Sequence, residues 1–357
     1  MKIIQAIFTL STGGAETMLV DIINQQCKSA SVSLIIVNDK VNPDLLRTID
    51  QRVTVFLLNR KESSKFQLLQ TGLRIRSIVK KINPDVIHCH DYKLFPFFAK
   101  WRKKICLTVH STNLPVLFLK YYRKIFAISN AVQQNIKQRT GIDAEVIYNG
   151  IEIANYLPRT NYDFNPPSDL FKIIFISRLC PPQKGQDVAI EAMHLLLEKH
   201  PGMNVKLVFV GDGEALEMLI DLAIQKKVDK HLVFYGQADR PWIKKNLKDF
   251  NLLIQPSLVE GFGLTVVEGF ASGLPVIASN IDGPKEIINL LHAGLLVNPG
   301  DPADLEEKIY RVYENYLSGT LIDSGYLVKD REQLKIFDIR ITAQNYLEKY
   351  ESCKQKN

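Results

Sequence analysis

Short apolar runs rich in β-branched residues alternate along this chain with longer amphipathic stretches, and that alternation constrains the fold more than any other feature. In the first half the runs fall at residues 2–8, 32–37, 53–58, 85–88, 105–109, 125–128 and 145–147, with helical stretches such as 15–26 and 69–81 between them. The second half repeats the pattern at 172–176, 205–210, 232–235, 252–255 and 275–278. Uniformly apolar strands separated by helices belong to parallel sheets covered on both faces, so the expected class is α/β. Between the two series, Leu157-Pro-Arg-Thr-Asn-Tyr-Asp-Phe-Asn-Pro-Pro-Ser168 has no apolar period and reads as a linker. Two Rossmann-like domains are therefore expected, residues 1–160 and 168–330, facing an interdomain cleft with their strand-to-helix loops. A chain of 357 residues is long enough to give each its own core.

A hydrophobic content of 46% with mixed charge excludes a disordered chain. The five cysteines (Cys27, Cys89, Cys106, Cys180 and Cys353) are odd in number and lack metal-type spacing, which suits a reducing, cytoplasmic setting. No apolar run approaches the roughly 20 residues of a membrane span. The apolar start is read as a buried strand rather than a signal peptide, because Gln5 interrupts it and Gly13-Gly14 follow closely. The net charge of +7 is unevenly held. Residues 1–165 carry 23 Lys and Arg against 12 Asp and Glu, and the remainder 22 against 26. An excess of cations suits nucleic acid, an anionic membrane or phosphorylated substrates.

The densest chemical signal is the stretch from Ser257 to Gly273, with Glu260, Gly261, Phe262, Gly263, Leu264, Thr265 and Glu268. Glu260 is placed in a loop, Glu268 in a helix starting near Leu264, and Gly273 at that helix's end. Glycines at a helix entrance let free amides approach an anion such as a diphosphate, with a carboxylate for sugar hydroxyls on either side. Upstream, Arg178 and Lys184-Gly185 follow the second half's first strand, where two cations would neutralise a leaving diphosphate. Thr12-Gly13-Gly14-Ala-Glu16 lies at the first strand-to-helix turn and suits a phosphate or sugar, though it is not a dinucleotide fingerprint. Gly211-Asp-Gly213 also fails that pattern at Leu216. His110 ends the run 105–109 at the functional edge of a sheet. His88-Cys89-His90-Asp91 invites a zinc reading, but neighbours on a strand face opposite ways, and structural histidines are expected. No two aspartates stand at i and i+2, so no Asp-x-Asp metal site is present.

Taken in order, these motifs resemble those of the retaining, GT-B-fold glycosyltransferases of family 4. The resemblance covers about residues 1–300 through Gly13-Gly14-Ala15-Glu16, His110, Ser129-Asn130-Ala131, Asn149-Gly150-Ile151, Arg178…Lys184-Gly185, Gly211-Asp-Gly213, Glu260-Gly-Phe-Gly…Glu268 and Asp282-Gly-Pro-Lys-Glu286. It implies transfer of a sugar from a nucleotide diphosphate donor with retained anomeric configuration and no metal or other cofactor. By motif position, Glu260 would contact the sugar hydroxyls and Glu268 the ribose. Arg178 and Lys184 would hold the diphosphate, aided by amides near Gly263 and Leu264. Gly13 and Gly14 would lie by the donor, and His110 near the reacting sugar. The resemblance also implies a last helix, about 333–350, that completes the first domain. Two departures are Ser177, where a glycine is frequent, and Asp282, in place of the first of two glycines.

In that fold the basic first domain receives the acceptor. Phe95-Pro-Phe-Phe-Ala-Lys100-Trp-Arg-Lys-Lys104 and Leu117-Phe-Leu-Lys120-Tyr-Tyr-Arg-Lys124 set aromatic bodies beside cations, as an anionic lipid surface requires. The expected partners are a nucleotide sugar, a glycan or lipid-diphosphate-linked acceptor, and the inner face of the cytoplasmic membrane, in bacterial surface-polysaccharide synthesis. No nucleic-acid motif is present. Alternative readings are a nucleotide-sugar epimerase of the same fold, or a basic membrane- or nucleic-acid-binding protein without catalysis.

Overall fold

The computed structural model describes residues 1–11, 13–61 and 65–354, with side chains left out at 65, 66 and 352–354. Thr12 of the glycine motif and the Cys353 side chain lie outside the described residues. Two compact units form, one of Met1–Ile151 with Ile336–Asn357 and the other of Glu152–Lys335.

The first unit holds seven parallel strands: β1 (Lys2–Ile7), β2 (Ser31–Asn38), β3 (Thr54–Arg60), β4 (Val86–Cys89), β5 (Ile105–Val109), β6 (Lys124–Ala127) and β7 (Glu145–Val146), in the order β3-β2-β1-β4-β5-β6-β7. Residues along β1, β2, β4 and β5 are buried nearly without interruption, because helices cover both faces of the sheet. The helix Gly14–Gln26 packs on the last helix, Ile339–Lys354, which brings the end of the chain onto this unit. That helix starts later than the sequence reading of 333–350. A 3-10 helix, Arg331–Phe337, precedes it, and the two are separated at Asp338, where Ile151 N–H donates to Phe337 O and Ile339 N–H to Ile151 O.

In the second unit six parallel strands run β8 (Phe171–Ile176), β9 (Val205–Val210), β10 (Leu232–Gly236), β11 (Leu252–Gln255), β12 (Val276–Ser279) and β13 (Leu295–Val297), in the order β10-β9-β8-β11-β12-β13. β13 has no counterpart among the sequence expectations. The stretch 157–168 is not a free linker. Arg159 N–H donates to Ser272 O, Tyr162 OH to Gly273 O, and Phe164 is buried among Phe171, Tyr313 and Tyr316. Its prolines and asparagines removed the apolar period, yet its aromatic side chains still anchor it on the second core.

Close backbone approach explains several glycines. A Cβ at Gly283, in the first turn of the helix Asp282–Leu291, would lie 2.2 Å from Phe262 Cα and 2.4 Å from Phe262 O. Beside it Asp282 has φ of 29°, a left-handed conformation that favours glycine, which fits the family's glycine at this position. Replacing Gly283→Ala forces helix and loop apart. Urea unfolding should report about 1–3 kcal/mol lost stability, the usual cost of overpacking; unchanged stability would show that the contact yields.

Candidate functional site

In each sheet the strand order reverses beside the first strand, between β1 and β4 in one unit and β8 and β11 in the other. Loops leaving such neighbours run to opposite faces, so a crevice opens beyond their carboxyl ends. Arg178, Lys184 and Glu260 lie in the loops after β8 and β11. Lys184 ends a single helical turn, Pro181–Lys184, and Gly185 follows with φ of 76°. A Cβ on Gly185 would meet Pro256 O at 2.2 Å, and Gln183 O accepts from Leu258 N–H and Val259 N–H at 2.9 and 3.0 Å. The two loops are thereby bound together, and Lys184 Nζ meets Glu260 Oε2 at 2.8 Å with both side chains mostly buried. Arg178 is exposed, its guanidinium without a bond to any described residue, while its carbonyl accepts from Gln186 Nε2 at 2.8 Å. Ser177 turns its hydroxyl to the same Gln186 Nε2, at 2.7 Å.

Gly263, at φ of 102°, turns the chain into the helix Leu264–Ala271, whose first amides have no side-chain cap. Helix dipole and open N–H groups together favour an anion there. Around this turn Gln255 Oε1, Ser257 Oγ and Thr265 Oγ1 are buried without partners among the described residues. Glu268, one turn further on, accepts from Tyr156 OH at 2.7 Å. In the loop after β9, Gly211 and Gly213 admit the carbonyls of Ser177 and Leu179, which would stand 1.9 and 2.4 Å from added Cβ atoms.

The first unit gathers three histidines at its own reversal. His88, fully buried on β4, bonds Tyr350 OH through Nδ1 (2.5 Å) and Thr108 Oγ1 through Nε2 (2.8 Å). His90 meets His110 Nε2 at 3.1 Å and Gln5 Oε1 at 2.9 Å. Burial pushes His88 down to about 3 and His110 to about 4; burial, then His88 and His110, holds His90 well below the usual imidazole range. All three are neutral at pH 7, because nothing nearby stabilises an imidazolium. No group of three or more His, Cys, Asp or Glu among the described residues is arranged to hold a metal ion. At the first helix, Gly13 sits where a Cβ would meet Glu16 Oε2 at 2.3 Å, and Ser11 Oγ donates to Glu16 Oε1 at 2.8 Å. Gly14 begins the helix.

The basic aromatic segments divide between core and surface. Phe98, Leu119 and Tyr122 are buried. Phe95 stacks on Phe118 and Tyr121, with centroids 5.5 and 5.1 Å apart, and Lys120 Nζ lies 5.1 Å from the Tyr121 ring. Val116, Leu117 and Tyr121 are 42, 59 and 45% exposed. Among the described residues no helix is long and apolar enough to cross a membrane.

Residues 160–326 match the family described as glycosyl transferases group 1, and residues 12–155 match glycosyltransferase family 4. The chain belongs to the group 1 glycosyltransferases. It is 29% identical over 265 residues to an uncharacterized glycosyltransferase of Methanocaldococcus jannaschii, spanning 65% of this chain and 67% of the relative. The phosphatidyl-myo-inositol mannosyltransferase of Mycolicibacterium smegmatis is 27% identical over 300 residues, 79% of this chain and 75% of that protein. Among solved structures, Anabaena HepE in complex with UDP-glucose superimposes with a TM-score of 0.79 at 21% identity, over 98% of this chain and 99% of that one. This glycosyltransferase is therefore of the two-domain, GT-B type.

In this glycosyltransferase the structure draws Lys184 to Glu260 and sets Glu268 on the helix after Gly263. Reasoning from sequence missed Tyr156, just before the supposed linker, and Gln5, His90 and Tyr350, whose partners are up to 345 residues away. Neutral buried histidines carry a consequence for stability. Their folded pKa values lie below the ordinary 6.5, so the unfolded chain binds more protons as pH falls from that value. Stability is complete above pH 6.5 and falls below it, by about 1.4 kcal/mol per pH unit for each histidine charged only when unfolded. Hydrogen exchange at β1, β4 and β5 between pH 6.5 and 5 should show it; a constant opening free energy would contradict the burial.

Proposed function

We propose that this enzyme transfers a sugar from a nucleotide diphosphate donor to a glycan or lipid-diphosphate-linked glycan, with retained anomeric configuration and without a metal. The Lys184–Glu260 pair carries this reading: a cation and a carboxylate 2.8 Å apart at the strand reversal, beside an uncapped helix N-terminus. A diphosphate draws the Lys184 ammonium and the Arg178 guanidinium and rests on the amides of Gly263 and Leu264, with Gly261, Phe262 and Thr265 closing the turn. Glu260, released from Lys184, accepts hydroxyls of the sugar. Glu268, oriented by Tyr156, accepts those of the ribose. Gly13 and Gly14 leave room for the donor, and His110 bonds a sugar hydroxyl. The UDP-glucose bound by HepE and the mannosyl transfer named for the mycobacterial relative are in keeping with such a donor.

The step we infer is a front-side displacement. The acceptor oxygen bonds to the anomeric carbon on the face from which the diphosphate departs. The acceptor's proton passes to the departing phosphate oxygen. Arg178 and Lys184 stabilise the charge that develops there, where preorganised donors count most. Incubating the enzyme with UDP-, GDP- and ADP-sugars tests the reading: transfer or slow donor hydrolysis supports it, and isomerisation or inertness does not. Lys184→Ala is expected to lower turnover by on the order of 10²-fold at saturating donor, the scale of losing one transition-state donor. An unchanged rate removes Lys184 from the mechanism.

The acceptor belongs with the basic first unit. Val116, Leu117 and Tyr121, with Lys120 and Arg139 lining the same hollow, suit insertion at the headgroups of an anionic bilayer. We assign the protein a peripheral place on the inner face of the cytoplasmic membrane, in bacterial surface-polysaccharide synthesis. Vesicles containing anionic lipid should sediment the wild type, and Leu117→Glu should weaken this by about tenfold or more, since a charge replaces an inserting apolar side chain. Equal recovery on neutral and anionic vesicles refutes the assignment.

A further inference from the structure

We propose that His90 and Gln5 are positioning residues that hold His110 in the tautomer protonated at Nε2, offering its Nδ1 lone pair to a substrate hydroxyl. The proposal rests on the reading that His110 contacts the sugar. Its logic starts in the core of the first unit. Gln5 is fully buried on β1, and its Nε2 donates to Gln26 Oε1 at 2.9 Å and to Tyr350 OH at 3.4 Å. The remaining atom of that amide, Oε1, is an acceptor, and it meets His90 Nε2 at 2.9 Å. His90 therefore carries its proton on Nε2. A neutral imidazole has one N–H, so His90 Nδ1 is a lone pair, and the nitrogen it meets at 3.1 Å, His110 Nε2, is the donor.

The same count then applies to His110. It is neutral, its one proton sits on Nε2, and Nδ1 is left bare. That Nδ1 is sealed from solvent and has no hydrogen-bond partner among the described residues. Buried polar atoms in folded proteins are almost always paired, so an orphaned one near a chemical site marks the place of a ligand atom. A lone pair requires a donor, and a sugar hydroxyl supplies one.

Gln26 Oε1 and the Tyr350 hydroxyl face the other end of the Gln5 amide. That hydroxyl accepts from Gln5 and donates to His88 Nδ1 at 2.5 Å. Turning the Gln5 amide over would set its oxygen against Gln26 Oε1 and face its N–H groups to His90. The proton order at His110 is thus set by the pairing of the Gln5 amide with Gln26 Oε1, through side chains that touch no substrate.

Side-chain 15N NMR of the full-length protein at pH 7 tests the relay directly. His110, assigned by the signals lost in His110→Ala, should show a bare Nδ1 and a protonated Nε2. A protonated Nδ1, or averaging of two tautomers, overturns the proposal. Kinetics test its use. His90→Leu removes the acceptor and should lower kcat at saturating donor by about tenfold, the scale of coupling within one network. His90→Gln, which keeps an acceptor oxygen, should restore most of that loss. In a His110→Ala background, His90→Leu should cost nothing more; an equal cost in both backgrounds overturns the relay. Should His110→Ala itself leave transfer unchanged, the assignment of His110 to the sugar falls, and the hydroxyl half of the proposal with it. The NMR result judges the tautomer alone.

Discussion

The donor-side cluster depends on two loops being tied back to back. Gln183 O holds the amides of Leu258 and Val259, and Gly185 lies flat on the Pro256 carbonyl because it has no side chain. These contacts carry no charge and touch no ligand, yet they set Lys184 and Glu260 at bonding distance. Without them two oppositely charged side chains on separate surface loops would pair weakly and variably, since exposed ion pairs gain little in water. A half-buried, preformed pair also keeps each group from finding a wrong partner before substrate arrives. In the proposed reaction the pair is exchanged for phosphate on one side and sugar hydroxyls on the other, so that each group would keep a polar partner.

The first unit solves a different problem by neutrality. Three imidazoles are taken out of water at one sheet edge, where charged forms would be costly to bury. They are kept uncharged and their polar atoms are chained through Gln5, Thr108, Tyr346 and Tyr350. Such a network is stable only when nearly every member is satisfied. Among the described residues two of its atoms stay open, Gln26 Nε2 and His110 Nδ1, and the latter sits just past β5, at the edge where parallel sheets bind their ligands. Depletion of charge here stands beside the abundance of cations on the outer surface of the same unit.

Much of the fold was legible because it depends on periods that sequence carries directly. Apolar runs of three to seven residues located twelve of the thirteen strands to within a residue or two, and Gly263 and Gly273 bracketed their helix. Legibility failed where pattern is weak or remote. β13 has no counterpart among the expected runs. The 157–168 stretch owes its place to scattered aromatic anchors rather than to a period, and the last helix begins late, after a bridge between Ile151 and Asp338. At the candidate site, Arg178, Lys184 and Glu260 beside strand ends and Glu268 on the following helix were picked out by residue type and, as a set, by the family resemblance. Tyr156 and His90 were not, since a tyrosine in an irregular stretch and a histidine on a strand are common core residues.

By itself, then, the sequence determined the class of architecture, the ends of the strands, and which charged residues stand at those ends. It also carried the uneven charge, concentrated in residues 1–165. Tertiary structure decided which of these residues meet. Strand order is set by long-range pairing of β8 with both β9 and β11, and no local period encodes it. The pairing of Lys184 with Glu260 and the proton order from Gln5 to His110 join positions 76 to 105 residues apart, and a hydrogen bond of 3 Å is decided by packing. Spacing along a chain cannot contain that information, because the direction of a side chain is fixed only once its neighbours from other elements are in place.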